Sequence, residues 1–376
     1  MAERIAARSK ESTGRQVRTI AVVRMLRGLG DMLCVVPALR ALRSALPGAR
    51  VTLIGLPPSK EFVTRFRHYI DELVESPGYP GIPEARTQIG RLPRFFAAMQ
   101  ERSFDLALQL HGDGTVANPF TVMLGARANA GFFLPDRFCP DRDRFLPYRK
   151  DEPEAARYVR LLAHLGIPPL GEDLEFPLWR SDREALSALP DARKLMPGGY
   201  VCVHPGASSR DRRWPPERFA RLADAVYDFG FPIVLTGDAA EKRLVRRVGA
   251  AMKSQPVDLA GRTSLGALAA LLSGARLLIC NDTGVSHLAA ALCVPSVVIF
   301  TGSDPARWAP LDHSLHRAID ARAEGDTGRA PSGRRSKPQA GIDEALAAAE
   351  ELLWRHGAGL DTGPLRSRAP LRCAMT

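Results

Sequence analysis

Asp31 is the first residue of this chain whose type and place could do chemistry. It closes the stretch Arg27-Gly-Leu-Gly-Asp31, directly after an apolar run. Glycines at such a point let the backbone turn sharply, and the opening amides of the helix that follows favour an anion. Gly28 and Gly30 are therefore candidate ligand contacts. Asp31 reads either as a helix N-cap or as an acid that takes a proton from a substrate. A dinucleotide site is not expected. Counting from Gly28, the last position of the Gly-x-Gly-x-x-Gly pattern is Leu33, and the next strand ends Ile54-Gly-Leu56 with no acid for a ribose.

Three further stretches combine strand ends with polar residues. His204-Pro-Gly-Ala-Ser208 runs on to Arg212 and Trp214, a small-residue loop rich in hydroxyls and guanidinium groups, which suits phosphate oxygens through Ser208 and Arg212. Thr236-Gly-Asp-Ala-Ala-Glu241 puts the carboxylate of Glu241 on the first turn after a strand, within reach of ribose hydroxyls or simply at a helix start. Asn281-Asp-Thr-Gly-Val-Ser-His287 opens a helix after a buried strand: Asp282 or Thr283 reads as its cap, and the amides of Thr283, Gly284 and Val285 would face a diphosphate. His287 taken alone reads more readily as a core histidine than as a catalyst, and as part of this loop it is a donor-binding candidate with Asp282 to Val285. The loop His111-Gly-Asp-Gly114 contributes His111 and Asp113 as weaker candidates. No Gly-x-Ser-x-Gly elbow supports a serine hydrolase.

These loops need strands and helices to hold them. Residues 17–23, 50–55 and 104–110 read as buried strands, with a helix over 31–46 and another over 154–165, while the Pro- and Gly-rich stretch 77–83 reads as a surface loop. The later half alternates strands at 199–204, 231–236, 257–259, 276–280 and 296–300 with helices between them, the pattern of a doubly wound parallel sheet. The expected organisation is a polar, disordered 1–16, a first domain 17–178, a second domain 179–320, a flexible 321–340, a helix over 341–356 and a disordered tail 357–376. The architecture is the same twice, without a repeated sequence.

Composition narrows the function. In 376 residues, Lys and Arg outnumber Asp and Glu by 52 to 41, a formal charge of +11 that suits anionic ligands. No zinc-finger spacing and no RNA-recognition motif accompanies that charge, so a nucleic-acid partner is not expected. The six cysteines form no CxxC pair and read as core residues of a reducing compartment. No run approaches the ~20 apolar residues of a membrane span. A cytoplasmic protein with at most peripheral membrane contact is expected.

Taken in order, five fragments resemble glycosyltransferase family 9, the family of ADP-heptose:lipopolysaccharide heptosyltransferases. They are Gly28-Leu-Gly-Asp-Met-Leu-Cys-Val-Val-Pro-Ala-Leu-Arg40, the His204 to Phe219 stretch, Leu235 to Glu241, Leu259-Ala-Gly-Arg-Thr-Ser-Leu265, and Asp282 to Ala291. The resemblance implies an α/β protein of GT-B architecture, two Rossmann-like doubly wound parallel-sheet domains facing across a cleft, with the nucleotide held by the second. It implies a helix over 343–354 that returns to the first domain. It places Asp31 as general base, Asp282, Thr283 and Gly284 as the loop for donor sugar and diphosphate, and Glu241 on the ribose. Where the family usually has Lys two residues before the Trp, this chain has Arg212. The implied reaction is inverting transfer of heptose or a related sugar from a nucleotide-diphosphate donor, an ADP-sugar by preference, to a cell-envelope glycolipid or oligosaccharide acceptor. Neither a metal nor another cofactor is expected, because Asp141-Arg-Asp143, the lone D-x-D spacing, reads as a surface loop. Two alternatives fit the architecture: a nucleotide-sugar 2-epimerase, and a binding protein with a degenerate site.

Overall fold

The computed structural model describes residues 16–322 and 340–355. The segments expected to be disordered or flexible, 1–16, 321–340 and 357–376, lie almost wholly outside the described residues. The chain divides into two units, Met1–Pro177 and Leu178–Thr376.

The first unit is one parallel six-stranded sheet. Its strands are β1 (Thr19–Val23), β2 (Arg50–Gly55), β3 (Glu72–Glu75), β4 (Leu106–Gln109), β5 (Ala128–Phe133) and β6 (Phe145–Pro147), in the order β3-β2-β1-β4-β5-β6. β1 sits in the middle, paired in parallel with β2 and β4. Its Ile20, Ala21, Val22 and Val23 are all fully buried, as an apolar run covered on both faces must be.

The second unit repeats this plan with β7 (Val201–His204), β8 (Ile233–Leu235), β9 (Val257–Asp258), β10 (Leu277–Asn281), β11 (Ser296–Phe300) and β12 (His316–Asp320). Their order is β12-β11-β10-β7-β8-β9, and all the pairings are parallel. Counted from its own first strand, this is the same 3-2-1-4-5-6 order as in the first unit, so both domains are Rossmann-like. The order of connection reverses between β1 and β4 in one and between β7 and β10 in the other. Ligands of open α/β sheets gather at the carboxyl ends of strands flanking such a reversal.

One expectation is corrected. The helix foreseen over 31–46 is two helices, Leu29–Leu33 and Val36–Ala45, separated by a turn at Cys34 and Val35. Pro37 is the second residue of the latter, where its missing amide costs no hydrogen bond. The last helix, Ala340–Arg355, packs on β10, β11, β12 and the helix Pro216–Asp228 within the second unit. Its Ile342, Ala345, Ala349, Leu352 and Leu353 are buried in one core with Val226 and Ile299, which satisfies its apolar stripe there.

Candidate functional site

In the second domain two loops flank the reversal, one after β7 and one after β10. Asn281, at the end of β10 and fully buried, joins them. Its Nδ2 donates to the carbonyl of Pro205 at 2.8 Å, and its Oδ1 accepts from the amide of Trp214 at 3.0 Å. One amide side chain thus pins both ends of the Ser/Arg loop, and the buried Trp214, edge-on to Phe219 at 5.3 Å, anchors it to the core.

Within that frame, Arg212 and Asp282 come together. Arg212 Nη1 lies 3.5 Å from Asp282 Oδ2, and Nη2 donates to the exposed Ser208 hydroxyl at 3.2 Å. Asp282 is buried and also accepts from Ser303, in the loop after β11. Its carboxylate is therefore turned toward Arg212 and Ser303. Thr283 occupies the N-cap position of the helix Gly284–Ala291, but its side chain makes no cap hydrogen bond. The cap foreseen from Asp282 or Thr283 is thus corrected: the position is right and the bond is absent. Gly284 is partly exposed at the helix start, while Val285 is buried. His287, one turn further, is buried with its ring edge-on to Trp308 at 6.2 Å.

Glu241 is drawn to the same place from the loop after β8. Its Oε2 accepts from the amide of Asp238 at 3.0 Å, while its own amide donates to Asp238 Oδ1 at 2.8 Å. This reciprocal turn holds the carboxylate over Gly206, where a β-carbon would stand 2.1 Å from Oε1. His204 lies beneath, with Nε2 3.6 Å from Glu241 Oε2 and Nδ1 3.0 Å from the Thr236 hydroxyl. Burial pushes the His204 pKa down, and the carboxylates of Glu241 and Asp238 recover only part of it. His204, Thr236, Asn281 and Ser303 were not singled out from the sequence. What could have found the first three is their place in or beside the quoted motifs at strand ends.

In the first domain the flanking loops follow β1 and β4. Gly28 is the exposed N-cap of the helix Leu29–Leu33, Gly30 is buried within it, and Asp31 is a partly exposed acid of its first turn. The N-cap reading of Asp31 is thereby corrected. Instead its carboxylate folds back so that Oδ2 lies 2.3 Å from where a β-carbon on Gly28 would be. His111, after β4, is buried; its Nδ1 accepts from the amide of Met25 at 3.2 Å, which puts any proton of the neutral ring on Nε2, 3.8 Å from Glu84. Burial, then the Arg24 charge, pushes its pKa down to about 4. Asp113 Oδ1 accepts from the Thr115 amide at 2.9 Å, closing its own loop. Asp141 is likewise engaged locally, accepting from the amide of Asp143 at 2.9 Å and pairing with Arg144. Among the described residues no cluster of three or more His, Cys, Asp or Glu could hold a metal ion, and no helix is long and apolar enough to cross a membrane.

Residues 92–329 match the model of glycosyltransferase family 9 (heptosyltransferase). The chain is 26% identical over 301 residues to lipopolysaccharide heptosyltransferase 2 of Salmonella typhimurium, covering 76% of this chain and 83% of the relative. It is 34% identical over 253 residues to lipooligosaccharide heptosyltransferase 2 of Haemophilus ducreyi, covering 62% and 70%. The solved structure of E. coli ADP-heptose lps heptosyltransferase II superposes with a TM-score of 0.67 at 20% identity, over 90% of this chain and 99% of that one.

Proposed function

The chain belongs to glycosyltransferase family 9, and from that premise we propose that it moves heptose or a closely related sugar from an ADP-sugar to a lipopolysaccharide-type glycolipid, with inversion and without a metal. The observation that carries the reading is the placement of Ser208, Arg212, Glu241 and Asp282 to Val285 on loops around one strand-order reversal. Such a site offers what a sugar diphosphate needs: a helix start and a guanidinium for the phosphates, and a carboxylate for the ribose. The adenine and heptose are carried over from the E. coli ADP-heptose lps heptosyltransferase II, whose fold this chain shares.

The chemistry then divides between the domains. Asp31 takes the proton of the acceptor hydroxyl as its oxygen attacks the anomeric carbon, and the bond from that carbon to the phosphate oxygen breaks with its electron pair leaving on the nucleoside diphosphate. Arg212 and the amides of residues 283–285 stabilise the charge that develops on the leaving group, the task a cation would otherwise perform. Ser208 accompanies Arg212, and Gly28, Gly30, His111 and Asp113 belong to the acceptor side. The acceptor is a glycolipid, so the enzyme works in the cytoplasm at the inner face of the membrane, held peripherally, and its +11 charge suits an anionic surface. Family membership argues against the epimerase alternative.

The test is to incubate the protein with ADP-, GDP- and UDP-sugars, with and without a heptose-accepting core glycolipid. The expected result is ADP release that requires the acceptor. Epimerised donor without acceptor, or no nucleotide release from any donor, would contradict the reading.

A further inference from the structure

Arg24, the residue after β1, is completely buried. Its Nε donates to the backbone carbonyl of Asp31 at 3.0 Å, and Nη2 donates to the same oxygen. From the other side Nη1 donates to the carbonyl of Leu110 and, at 2.6 Å, to the Tyr158 hydroxyl. That hydroxyl in turn donates to Glu154, whose second oxygen accepts from Arg157 at 2.8 Å. Glu154, Arg157 and Tyr158 all lie on the buried side of the helix Glu154–His164. We propose that Arg24 is a positioning residue for Asp31: it fixes the turn that carries the carboxylate against the loop after β4 and the helix Glu154–His164. The inference rests on the reading of Asp31 as the base.

The chemistry of the guanidinium supports this role over simple core filling. A buried cation is expensive to desolvate, and an apolar side chain would fill the same volume more cheaply. Burial works against the charge of Arg24, and Tyr158, Asp31 and Glu154 more than restore it. What an apolar residue cannot do is bind two carbonyls from loops on either side of the strand reversal in one planar fork. Two donors converge on the single oxygen of Asp31, which leaves its peptide little freedom to tilt. A displacement of the reacting group by about 1 Å can cost ~100-fold in rate. Lysine would keep the charge and lose the fork.

The experiment is a double-mutant cycle on the full-length protein, with ADP affinity measured alongside turnover. Arg24→Lys is expected to lower kcat by about 10- to 100-fold, leaving the donor KM and ADP affinity, which belong to the second domain, unchanged. In an Asp31→Asn background the same change should have no further effect, because there is no longer a base to position. Tyr158→Phe, which removes one anchor of the guanidinium, should lower kcat in the same direction with the donor KM unchanged, and it decides the matter if Arg24→Lys does not fold. The inference is overturned if Arg24→Lys and Tyr158→Phe turn over normally, or if their losses are equally large with and without Asp31. Normal turnover of Asp31→Asn alone would instead remove the base reading and the inference with it, a result distinguishable from the others by that single variant.

Discussion

The Oδ2 atom of Asp31 occupies the space that a β-carbon on Gly28 would need, 2.3 Å from it, so the acid lies folded over the glycine three residues before it. Glu241 stands in the same relation to Gly206, at 2.1 Å. Each domain therefore uses a missing side chain to seat a carboxylate at the end of its first strand.

Gly28→Ala and Gly206→Ala follow from that arrangement. In each case the obstacle is the end of a flexible side chain, so the carboxylate moves and the backbone stays. Gly28 is exposed, so its alanine should change stability by about 0.5 kcal/mol or less, as for most surface substitutions, whereas Gly206 is buried and its alanine displaces a carboxylate held by the Asp238 amide, which should cost about 0.5 to 1.5 kcal/mol. Gly28→Ala is expected to lower kcat by about 10- to 100-fold, the scale of a misplaced reacting group. Gly206→Ala is expected to raise the donor KM instead. Steady-state kinetics with each substrate varied would show the split, and equal effects on both parameters in both variants would contradict it.

Arg212 is the second test. Because it pairs with the buried Asp282, two residues before the helix start at Gly284, Arg212→Ala should weaken ADP binding by about 1.5 to 3 kcal/mol, the range for hydrogen bonds to charged groups. Arg210, exposed in the same loop, should tolerate alanine with little change. Calorimetric titration with ADP compares the two, and similar losses would mean that the loop attracts the nucleotide by charge alone.

The parts of this structure legible in the sequence are those where periodicity and burial coincide. β2 and β11 fall on the residues foreseen, 50–55 and 296–300, because both are apolar runs deep in a sheet. β3, β5, β6 and β12 were not foreseen: β3, β6 and β12 lie at sheet edges, where one side lacks a neighbour and charges such as Glu72 and Arg317 interrupt the apolar pattern, and the interior β5 opens on Ala128-Asn-Ala-Gly131, too small and polar to read as an apolar run. The helix 31–46 was read as continuous because its apolar spacing is, while the turn at Cys34 and Val35 has no glycine to announce it. At the site, motif order was enough to find the loops around Asp31, Arg212, Glu241 and Asp282. It could not show that Asp282 turns to Ser303 or that Arg24 binds Asp31, since these contacts join residues whose spacing carries no signal.

Acid should destabilise the fold through two buried histidines. Burial brings both His111 and His316 from 6.5 to about 4. Between those pH values the unfolded chain binds more protons than the folded one, so stability is full above about pH 6.5, falls as pH drops toward 4, and levels off below. Each histidine contributes a slope of about 1.4 kcal/mol per pH unit at most. His316, hydrogen-bonded to Ser296 at 2.8 Å, is the cleaner probe. Denaturant melts of His316→Asn across this window should show a shallower slope by up to one proton, and an unchanged slope would contradict the assignment.

Metal independence is testable directly. Transfer should survive EDTA if, as proposed, Arg212 and the amides of residues 283–285 hold the diphosphate; Asp141 is engaged with Arg144 and its own turn. Loss of activity that Mg²⁺ or Mn²⁺ restores would assign that role to a cation.

The central claim is that Asp31 takes the proton of the acceptor. Its most direct measurement is the turnover of Asp31→Asn with ADP-heptose and a heptose-accepting glycolipid, made beside a titration of the same variant with ADP. Asparagine keeps the shape of the side chain and cannot accept the proton, so turnover should fall by about 100-fold or more, the scale of a removed general base, while ADP affinity stays at the wild-type value. Near-normal turnover in a variant that binds ADP normally would contradict the account.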